Sequence, residues 1–229
     1  ELQGDPLLRR YKVIVLDEVH ERGVFQDLLI ALLKGVLPKR PDLKLVIMSA
    51  TIDLDRFSRH FGGAPVVTFE GRQFPVDIRY ERVDPSGMKQ VLALTGEKIL
   101  QILQGSEPGD ILAFFPDQDS INKVAKFLES STRGVRILPL FGAQDPDDQE
   151  AVFTRDGRRR VILATNIAET SLTIDGVVHV VDTGLIKAMK YVDASMSALQ
   201  VTDHSRAGCD QRAGRAGRTQ PGICHRLYT

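Results

Sequence analysis

The 229-residue sequence predicts an α/β fold with parallel sheets, and two observations support this. Short β-branched runs alternate along the chain with segments whose apolar residues recur at helical spacing, as expected of repeated β-α units. The runs themselves, such as YKVIVLD (11–17) and RVILAT (160–165), are continuously apolar, which is typical of strands covered on both faces. In sheets of this kind the functional residues stand at the carboxyl ends of the strands.

The first third of the chain is predicted to contain a strand, a helix, a strand, a helix and then two strand-like segments that are each entered through a proline. In order these elements are 11–17, 25–37, 43–49, 53–61, 64–69 and 74–81. A polar stretch with Pro85 and Gly87 follows, and we interpret it as a linker between a domain at 1–80 and a domain at 81–229.

The second domain repeats the alternation and adds a hairpin. Helices are predicted at 89–104, 117–131, 146–156 and 203–215, and strands at 110–115, 135–140, 160–165, 177–184 and 222–228. Residues 185–202, LIKAMKYVDASMSALQVT, alternate in the manner of a β-hairpin. Two α/β units are therefore expected.

Bulk composition narrows the function classes. The 30 basic and 30 acidic residues cancel, so any recognition of phosphate must be local. Cys209 and Cys224 are far apart in sequence and make no CxxC spacing, which favours a reduced intracellular chain without zinc or a disulfide. No apolar run approaches the roughly 20 residues of a membrane span. We expect an intracellular protein, and the sequence does not distinguish nucleus from cytoplasm.

Asp17 and Glu18 stand where the first buried strand ends, in VIVLDEVHER. An acidic residue at that place can hold Mg²⁺ through water, and a second carboxylate can accept a proton from water that attacks a phosphate. The alternative is that both residues cap the following helix. The residues by themselves leave both interpretations open.

Two other segments at strand ends are rich in small polar residues. MSAT (48–51) suits a polar relay, although an ordinary turn explains it as well. ATNIAETSLTIDG (164–176) concentrates hydroxyl and amide donors in a strand-to-helix turn, a typical seat for a phosphate. An elaborate helix cap is the alternative, but it does not account for the number of donors, which are Thr165, Asn166, Thr170, Ser171 and Thr173.

Arg212, Arg215 and Arg218 are three residues apart in QRAGRAGR (211–218), so on a helical turn they are predicted to share one face. A disordered Arg/Gly tail would continue as low-complexity sequence. Sequence that looks folded flanks this segment on both sides, which favours a folded loop that aims arginines at a phosphate.

Together DEVH, SAT, TNIAETSLTIDG and QRAGRAGR, in this order and spacing, resemble motifs II, III, V and VI of the DEAH-box (DEAH/RHA) ATP-dependent RNA helicases of superfamily 2. The resemblance covers essentially the whole chain. It implies two RecA-like domains, ATP and Mg²⁺ as cofactors, and 3′-to-5′ movement on single-stranded RNA or on an RNA duplex with a single-stranded tail. An activating protein cofactor is a further implied partner.

The resemblance also implies roles for individual positions. Asp17 would bind Mg²⁺ through water, Glu18 would polarise the hydrolytic water, and Gln211 would help to place it. Arg215 and Arg218 would reach the γ-phosphate and stabilise the transition state. The nucleotide would therefore lie between residues of both domains.

The other implied roles concern coupling, sensing and RNA. Phe153 matches a phenylalanine that stacks on adenine, although a core position on an amphipathic helix explains it equally well. The hairpin matches one that wedges at the strand junction. The remaining roles are coupling of hydrolysis to domain movement (His20, Ser49, Thr51), sensing of nucleotide state (Ser171, Thr173), contact with the RNA backbone (Thr165, Asn166) and a structural or interdomain contact (Arg212).

Two features depart from the family pattern. No segment resembles the P-loop, GxxxxGK[ST], which the family carries upstream of motif II. We therefore expect an incomplete first domain, with the faces of 13–16 and 45–48 poorly covered, and no ATP turnover by this chain alone. Pro116-Asp117 replaces a pair that commonly contains glycine, and Asp117 would repel an RNA phosphate.

The leading hypothesis is thus an ATP-dependent RNA helicase, represented from motif II to motif VI. The alternative is an ATPase-inactive module that binds nucleic acid or protein, which the missing P-loop favours. A DNA translocase is a weaker third hypothesis.

Overall fold

The computed structural model describes residues 4–19, 23–49, 54–68, 74–81, 87–170, 172–191 and 197–228. The chain divides into two compact units, Glu1–Glu70 and Gly71–Thr229, and each contains a parallel sheet with helices. The predicted α/β class is confirmed.

The first unit pairs two short parallel strands in the register Val13 with Lys44 to Leu16 with Ile47. Its elements are β1 (Val13–Leu16), α1 (Val24–Val36), a 3-10 turn (Leu37–Lys39), β2 (Lys44–Ile47) and α2 (Leu54–His60). Helix α1 buries a stripe at helical spacing and gives way to the 3-10 turn at its proline. The core of the unit is small and consists of Leu8, Leu16, Val19, Ile30 and Leu33.

One face of this two-stranded sheet is largely open. Val13 and Val15 on β1 are 51% and 53% exposed, and Val46 and Met48 on the β2 side are 43% and 42% exposed. The poor cover expected from the sequence is therefore present. β-Branched residues of this kind normally face a packed layer.

The second unit contains a six-stranded parallel sheet in the order β3-β10-β7-β4-β6-β5. Its strands are β3 (Val76–Tyr80), β4 (Asp110–Phe114), β5 (Val135–Leu140), β6 (Arg159–Ala164), β7 (Val177–Asp182) and β10 (Gly222–Arg226). Its helices are α3 (Met88–Gln104), α4 (Gln118–Ser131), α5 (Pro146–Glu150), α6 (Ile167–Thr170) and α7 (Arg206–Ala213).

Alternate residues of the central strand β4 enter two different core layers. Ile111 and Ala113 pack with residues of α3 and α4, whereas Leu112 and Phe114 pack with residues of α6 and α7. All five residues of β4 are buried, as the apolar run 111–114 predicts, and the burial includes the charged Asp110.

The predicted hairpin is confirmed. Strands β8 (Leu185–Tyr191) and β9 (Ser197–Asp203) pair antiparallel, with Leu185 opposite Asp203 and Tyr191 opposite Ser197.

Four predictions about elements are corrected. The helix predicted at 146–156 is shorter, because α5 spans only Pro146–Glu150. Residues 64–68 form no strand. Strand β3, which the sequence analysis placed in the first domain, pairs with β10 in the second unit, so the unit boundary lies at 70/71 rather than 80/81. The helix predicted at 203–215 is shorter, because β9 continues to Asp203 and α7 ends at Ala213.

Within the described ranges, no helix combines the length and apolarity needed to cross a membrane.

Candidate functional site

The acidic pair and the MSA segment meet at the carboxyl edge of the first sheet. Asp17 and Glu18 follow β1, and Met48 and Ser49 follow β2. Met48 N–H donates to Leu16 C=O at 2.8 Å, and Val19 N–H donates to Met48 C=O at 3.3 Å, so the two strand ends are tied together. Ser49 is thereby placed beside the acidic pair, while His20 and Thr51 lie outside the described residues.

The backbone turns sharply at the acidic pair. Glu18 has φ +51°, a left-handed conformation that a non-glycine residue adopts only at some cost, and such strain concentrates at functional sites. Asp17 supports the turn, because its Oδ1 accepts the Glu18 N–H at 2.8 Å. Gln26 Nε2 holds the same turn through Asp17 C=O at 2.8 Å.

Asp17 and Glu18 do not cap helix α1, which was the alternative interpretation of this pair. Helix α1 has Gly23 at its N-cap, and no described side chain caps it. Asp17 is exposed and Glu18 is half-buried, so both carboxylates remain at the surface of the strand edge.

The acidic edge suits Mg²⁺ only in one kind of coordination, in which water and phosphate oxygens supply most of the ligands. Among the described residues, no three His, Cys, Asp or Glu side chains gather as a metal cage. Mg²⁺ commonly needs no cage, because one or two carboxylates, water and substrate phosphates complete its shell. A single exposed carboxylate at Asp17 suits that arrangement.

In the second unit the segment 164–176 follows the buried strand β6. Thr165 is half-buried, and its N–H donates to Leu140 C=O at 3.0 Å, which fixes the start of the turn against β5. Asn166 and Thr173 are exposed, and Ser171 lies outside the described residues. Two predicted RNA- or nucleotide-contacting side chains are thus accessible on this strand edge.

The prediction that Arg212, Arg215 and Arg218 share one face is wrong. Helix α7 ends at Ala213, so the helical periodicity does not extend over the three arginines. Arg212 is fully buried and Arg215 is 5% exposed, whereas Arg218 is exposed. Gln211 is half-buried. The motif therefore contains one surface arginine and two interior ones.

Arg212 has a structural position, as the sequence resemblance implied. Its Nε donates to Glu169 Oε1 at 2.7 Å and its Nη1 donates to Asp182 Oδ1 at 2.8 Å, while its guanidinium lies 4.9 Å from the ring centroid of Phe114. A buried arginine with two carboxylate partners is costly to disrupt, since removal of the cation leaves buried charges unpaired.

Arg215 joins the two motifs of the second unit. Its Nη1 donates to Leu172 C=O at 2.7 Å and its Nη2 donates to Glu169 C=O. Both acceptors belong to the segment 164–176. This conformation orients the guanidinium toward backbone carbonyls.

Phe153 and Asp117 each have a clear environment. Phe153 is 46% exposed and follows α5, while its neighbour Val152 is fully buried, so the core-position alternative for Phe153 is wrong. Asp117 is the N-cap of α4, and its Oδ1 accepts the Ser120 N–H at 2.9 Å. Its carboxylate thus stabilises a helix.

Both thiols are buried and unoxidised. Burial raises the pKa of Cys224 to about 12, and burial also raises the pKa of Cys209. These cysteines remain protonated near neutral pH and are poor nucleophiles and poor metal ligands.

Three residues around the arginine motif were not predicted from the sequence. Glu169 and Asp182 are the carboxylates that hold Arg212, and His204 Nε2 lies 3.2 Å from Glu169 Oε2. Asp182 could have been found, because it is the last residue of the buried strand VVHVVD, much as Asp17 directly follows β1. Glu169 and His204 carry no comparable local signal, since only the fold brings them together.

Comparison with known proteins gives consistent matches. The family described as Helicase conserved C-terminal domain matches residues 95–220, which is more than half of the chain. The Schizosaccharomyces pombe pre-mRNA-splicing factor ATP-dependent RNA helicase prp22 is 45% identical over 235 residues, covering 98% of this chain and 20% of that protein. The Escherichia coli ATP-dependent RNA helicase HrpA is 41% identical over 235 residues, covering 100% of this chain and 18% of HrpA.

Solved structures agree. The crystal structure of the Escherichia coli DEAH/RHA helicase HrpB superposes with a TM-score of 0.87 at 41% identity, covering 100% of this chain and 29% of that chain. The chain spans about a fifth of the length of the curated relatives named above.

Proposed function

Since the chain belongs to the DEAH-box (DEAH/RHA) family of helicases, we propose that it acts as the motif II to motif VI part of an ATP-dependent RNA helicase. The proposal rests on the polar and charged residues that the structure places at the carboxyl edge of each sheet. The strained Asp17-Glu18 turn stands beside Ser49 in one unit, and the arginine motif is hydrogen-bonded to the 164–176 segment in the other.

ATP hydrolysis is assigned first to the acidic edge. Asp17 would hold Mg²⁺ through water, and the bound ion would neutralise charge on the ATP phosphates. Glu18 would accept the proton of the attacking water, with Gln211 placing that water. The left-handed backbone at Glu18 supports this role, because such strain concentrates at functional sites.

The arginines would stabilise the transferring phosphoryl group. Arg218 is exposed, so its guanidinium is accessible to a phosphate. Arg215 would first exchange its carbonyl partners for the γ-phosphate, so its engagement would depend on movement of the 164–176 segment. Such arginine fingers contribute on the order of 10³-fold or more in rate.

Contacts outside the phosphate site complete the proposal. Phe153 would stack on adenine, since its ring is half exposed beside a buried neighbour. Met189, Leu199 and Val201 are exposed on the β8–β9 hairpin, a suitable wedge at an RNA junction during 3′-to-5′ movement. The remaining assignments are coupling by His20, Ser49 and Thr51, nucleotide sensing by Ser171 and Thr173, and RNA backbone contact by Thr165 and Asn166.

A second candidate is a module that binds nucleic acid or protein without hydrolysing ATP. It is favoured by one observation, namely that these 229 residues contain no GxxxxGK[ST] sequence. On the leading proposal, the same fact means that the chain alone does not turn over ATP.

The proposal is tested by RNA-stimulated ATP hydrolysis in a chimaera in which the chain replaces the aligned segment of Escherichia coli HrpA. Arg218→Ala and Ser171→Ala are each expected to abolish turnover, while Arg133→Ala, at another exposed arginine, serves as the matched control. Retained activity in Arg218→Ala or Ser171→Ala would refute the role given to that residue. An unsubstituted chimaera without RNA-stimulated turnover would favour the binding module, and DNA as a stimulator separates an RNA from a DNA translocase.

A further inference from the structure

His204 lies at the junction between the hairpin and α7. It follows directly after β9, and its backbone N–H donates to Gly184 C=O at 2.7 Å, which closes the open end of the hairpin. Its imidazole Nε2 lies 3.2 Å from Glu169 Oε2, where a ring N–H donates to the carboxylate. A single residue therefore connects the hairpin to α6.

Glu169 also contacts both buried arginines of the motif, Arg212 and Arg215. Its second carboxylate oxygen accepts Arg212 Nε at 2.7 Å, and its backbone C=O accepts Arg215 Nη2. A displacement of the Glu169 carboxylate would change the environment of Arg212 directly, and it would reach Arg215 if the Glu169 backbone moves with the side chain.

The side chains that form this connection are largely shielded from water. Arg212 is fully buried, and the side chains of Glu169 and His204 are only 8% and 11% exposed. Hydrogen bonds in such surroundings are stronger than in water, and their partners have few alternatives.

Gly208 shows that α7 is adapted to this histidine. A Cβ atom at position 208 would lie 2.0 Å from His204 Nε2, so any larger residue would displace the imidazole from Glu169. Glycine inside a helix lowers stability relative to alanine. Here it leaves the space that the His204 contact needs.

We propose that His204 is a positioning residue that couples the β8–β9 hairpin to the motif VI arginines through Glu169. Movement of the hairpin on RNA would then change the hold of Glu169 on Arg215, the group proposed to engage the γ-phosphate. The inference rests on the proposed function for its role in turnover, whereas the physical link itself can be tested without ATP.

The link is tested first by residue-resolved hydrogen exchange on the 229-residue chain. His204→Leu removes the donor at similar volume, and His204→Gln keeps an N–H donor. We expect His204→Leu to speed exchange about fivefold or more in both β9 and residues 213–218, and His204→Gln to restore it. Gly208→Ala should reproduce the His204→Leu pattern, because it displaces the imidazole without changing it.

The controls separate a link from a local defect. Arg206→Ala changes an exposed neighbour on α7 and should leave exchange in both segments unchanged. Faster exchange confined to 203–209, or equal effects of His204→Leu and His204→Gln, would overturn the proposal. If His204→Leu does not fold, His204→Gln and Gly208→Ala decide the same question.

The role in turnover is tested in a chimaera in which the chain replaces the aligned segment of Escherichia coli HrpA, by two rates, RNA-stimulated ATP hydrolysis and unwinding of a tailed RNA duplex. His204→Leu should lower unwinding per ATP by about fivefold or more, and His204→Gln should restore it. Equal losses of unwinding in His204→Leu and His204→Gln would mean that the imidazole contact with Glu169 does not carry the coupling. An unsubstituted chimaera without RNA-stimulated ATP turnover would refute the proposed function instead, and the exchange result would still decide the link.

Discussion

The two units use the same kind of strand in opposite surroundings. In the second unit every residue of β4 is buried, and the sheet has a core layer on each face. In the first unit, β1 and β2 have equally apolar sequences, yet Val13, Val15 and Val46 are more than 40% exposed. Among the described residues, buried charged side chains also occur only in the second unit.

This difference shows that the apolar sequence of a strand indicates the packing that the strand requires, whether or not neighbouring elements provide that packing. Continuous β-branched runs indicate burial on both faces. The second unit meets that requirement internally and can therefore hold buried ion pairs, whose cost needs well-packed surroundings. The first unit does not, so its stability depends on a small core around Leu33.

The largest loss of stability is expected when a buried charge is removed from the second unit. Arg212→Ala leaves Glu169 and Asp182 buried without their cation and should destabilise the second unit by about 3–5 kcal/mol. Urea unfolding followed by residue-resolved hydrogen exchange measures this loss separately for each unit. Arg158→Ala is the control, because Arg158 is 54% exposed and its loss should leave stability unchanged within error. Equal effects of the two substitutions would contradict the account.

Truncation of an apolar side chain on a strand should have the next largest effect, and the loss of stability should differ between the two units. Leu163→Ala on β6 removes a fully buried side chain and is expected to cost about 2–5 kcal/mol. Val15→Ala on β1 removes a side chain that is 53% exposed and should cost under about 1 kcal/mol. The same unfolding experiment measures both, and a larger loss at Val15 than at Leu163 would show that the open face is covered in solution.

Acid should destabilise the second unit through a buried histidine pair. His179 and His225 stack with ring centroids 5.9 Å apart, and burial lowers the pKa of His225 to about 4 and also lowers that of His179. The unfolded chain binds these protons below about pH 6.5, while the folded His225 stays neutral, so stability falls as the pH drops from about 6.5 to about 4.

For His225 this loss amounts to about 3 kcal/mol at the acid end of the range. Unfolding free energies of the wild type and His225→Gln between pH 7 and pH 4 give the measurement, and the substitution should flatten the profile. A wild-type profile that is flat over the same range would show that His225 is not buried in its neutral form.

The smallest effect concerns two helical glycines. Gly35 in α1 has open space around its missing side chain, so Gly35→Ala should stabilise the first unit by about 0.5–1 kcal/mol. At Gly96 in α3 a Cβ would lie 2.8 Å from the Phe127 ring, which must move, so Gly96→Ala should gain less. Thermal unfolding of both variants tests the order, and a greater gain at Gly96 would reverse it.

Local patterns predicted the elements well, and pairings distant in sequence limited the rest. The alternation of 185–202 was enough to predict the hairpin, because neighbouring strands pair across a short connection. Strand β3 was assigned to the wrong unit, since its partner β10 begins at Gly222, far along the chain. No local pattern carries that pairing.

The candidate site shows the same limit. The acidic pair and the arginine motif were found from residue types at strand ends and at fixed spacing. The common face of the arginines was wrong because spacing alone does not reveal that α7 ends at Ala213. Glu169 and His204 were missed because their contact joins residues 35 positions apart.

We propose that Glu18 and the arginine motif belong to one ATP-hydrolysing enzyme, and a single comparison of rates can decide this. RNA-stimulated ATP hydrolysis is compared between the 229-residue chain and a chimaera in which it replaces the aligned segment of Escherichia coli HrpA, each with and without Glu18→Gln. The account predicts no turnover by the chain alone, RNA-stimulated turnover by the chimaera, and loss of that turnover in Glu18→Gln. A folded chimaera without RNA-stimulated turnover, or one indifferent to Glu18→Gln, would contradict it.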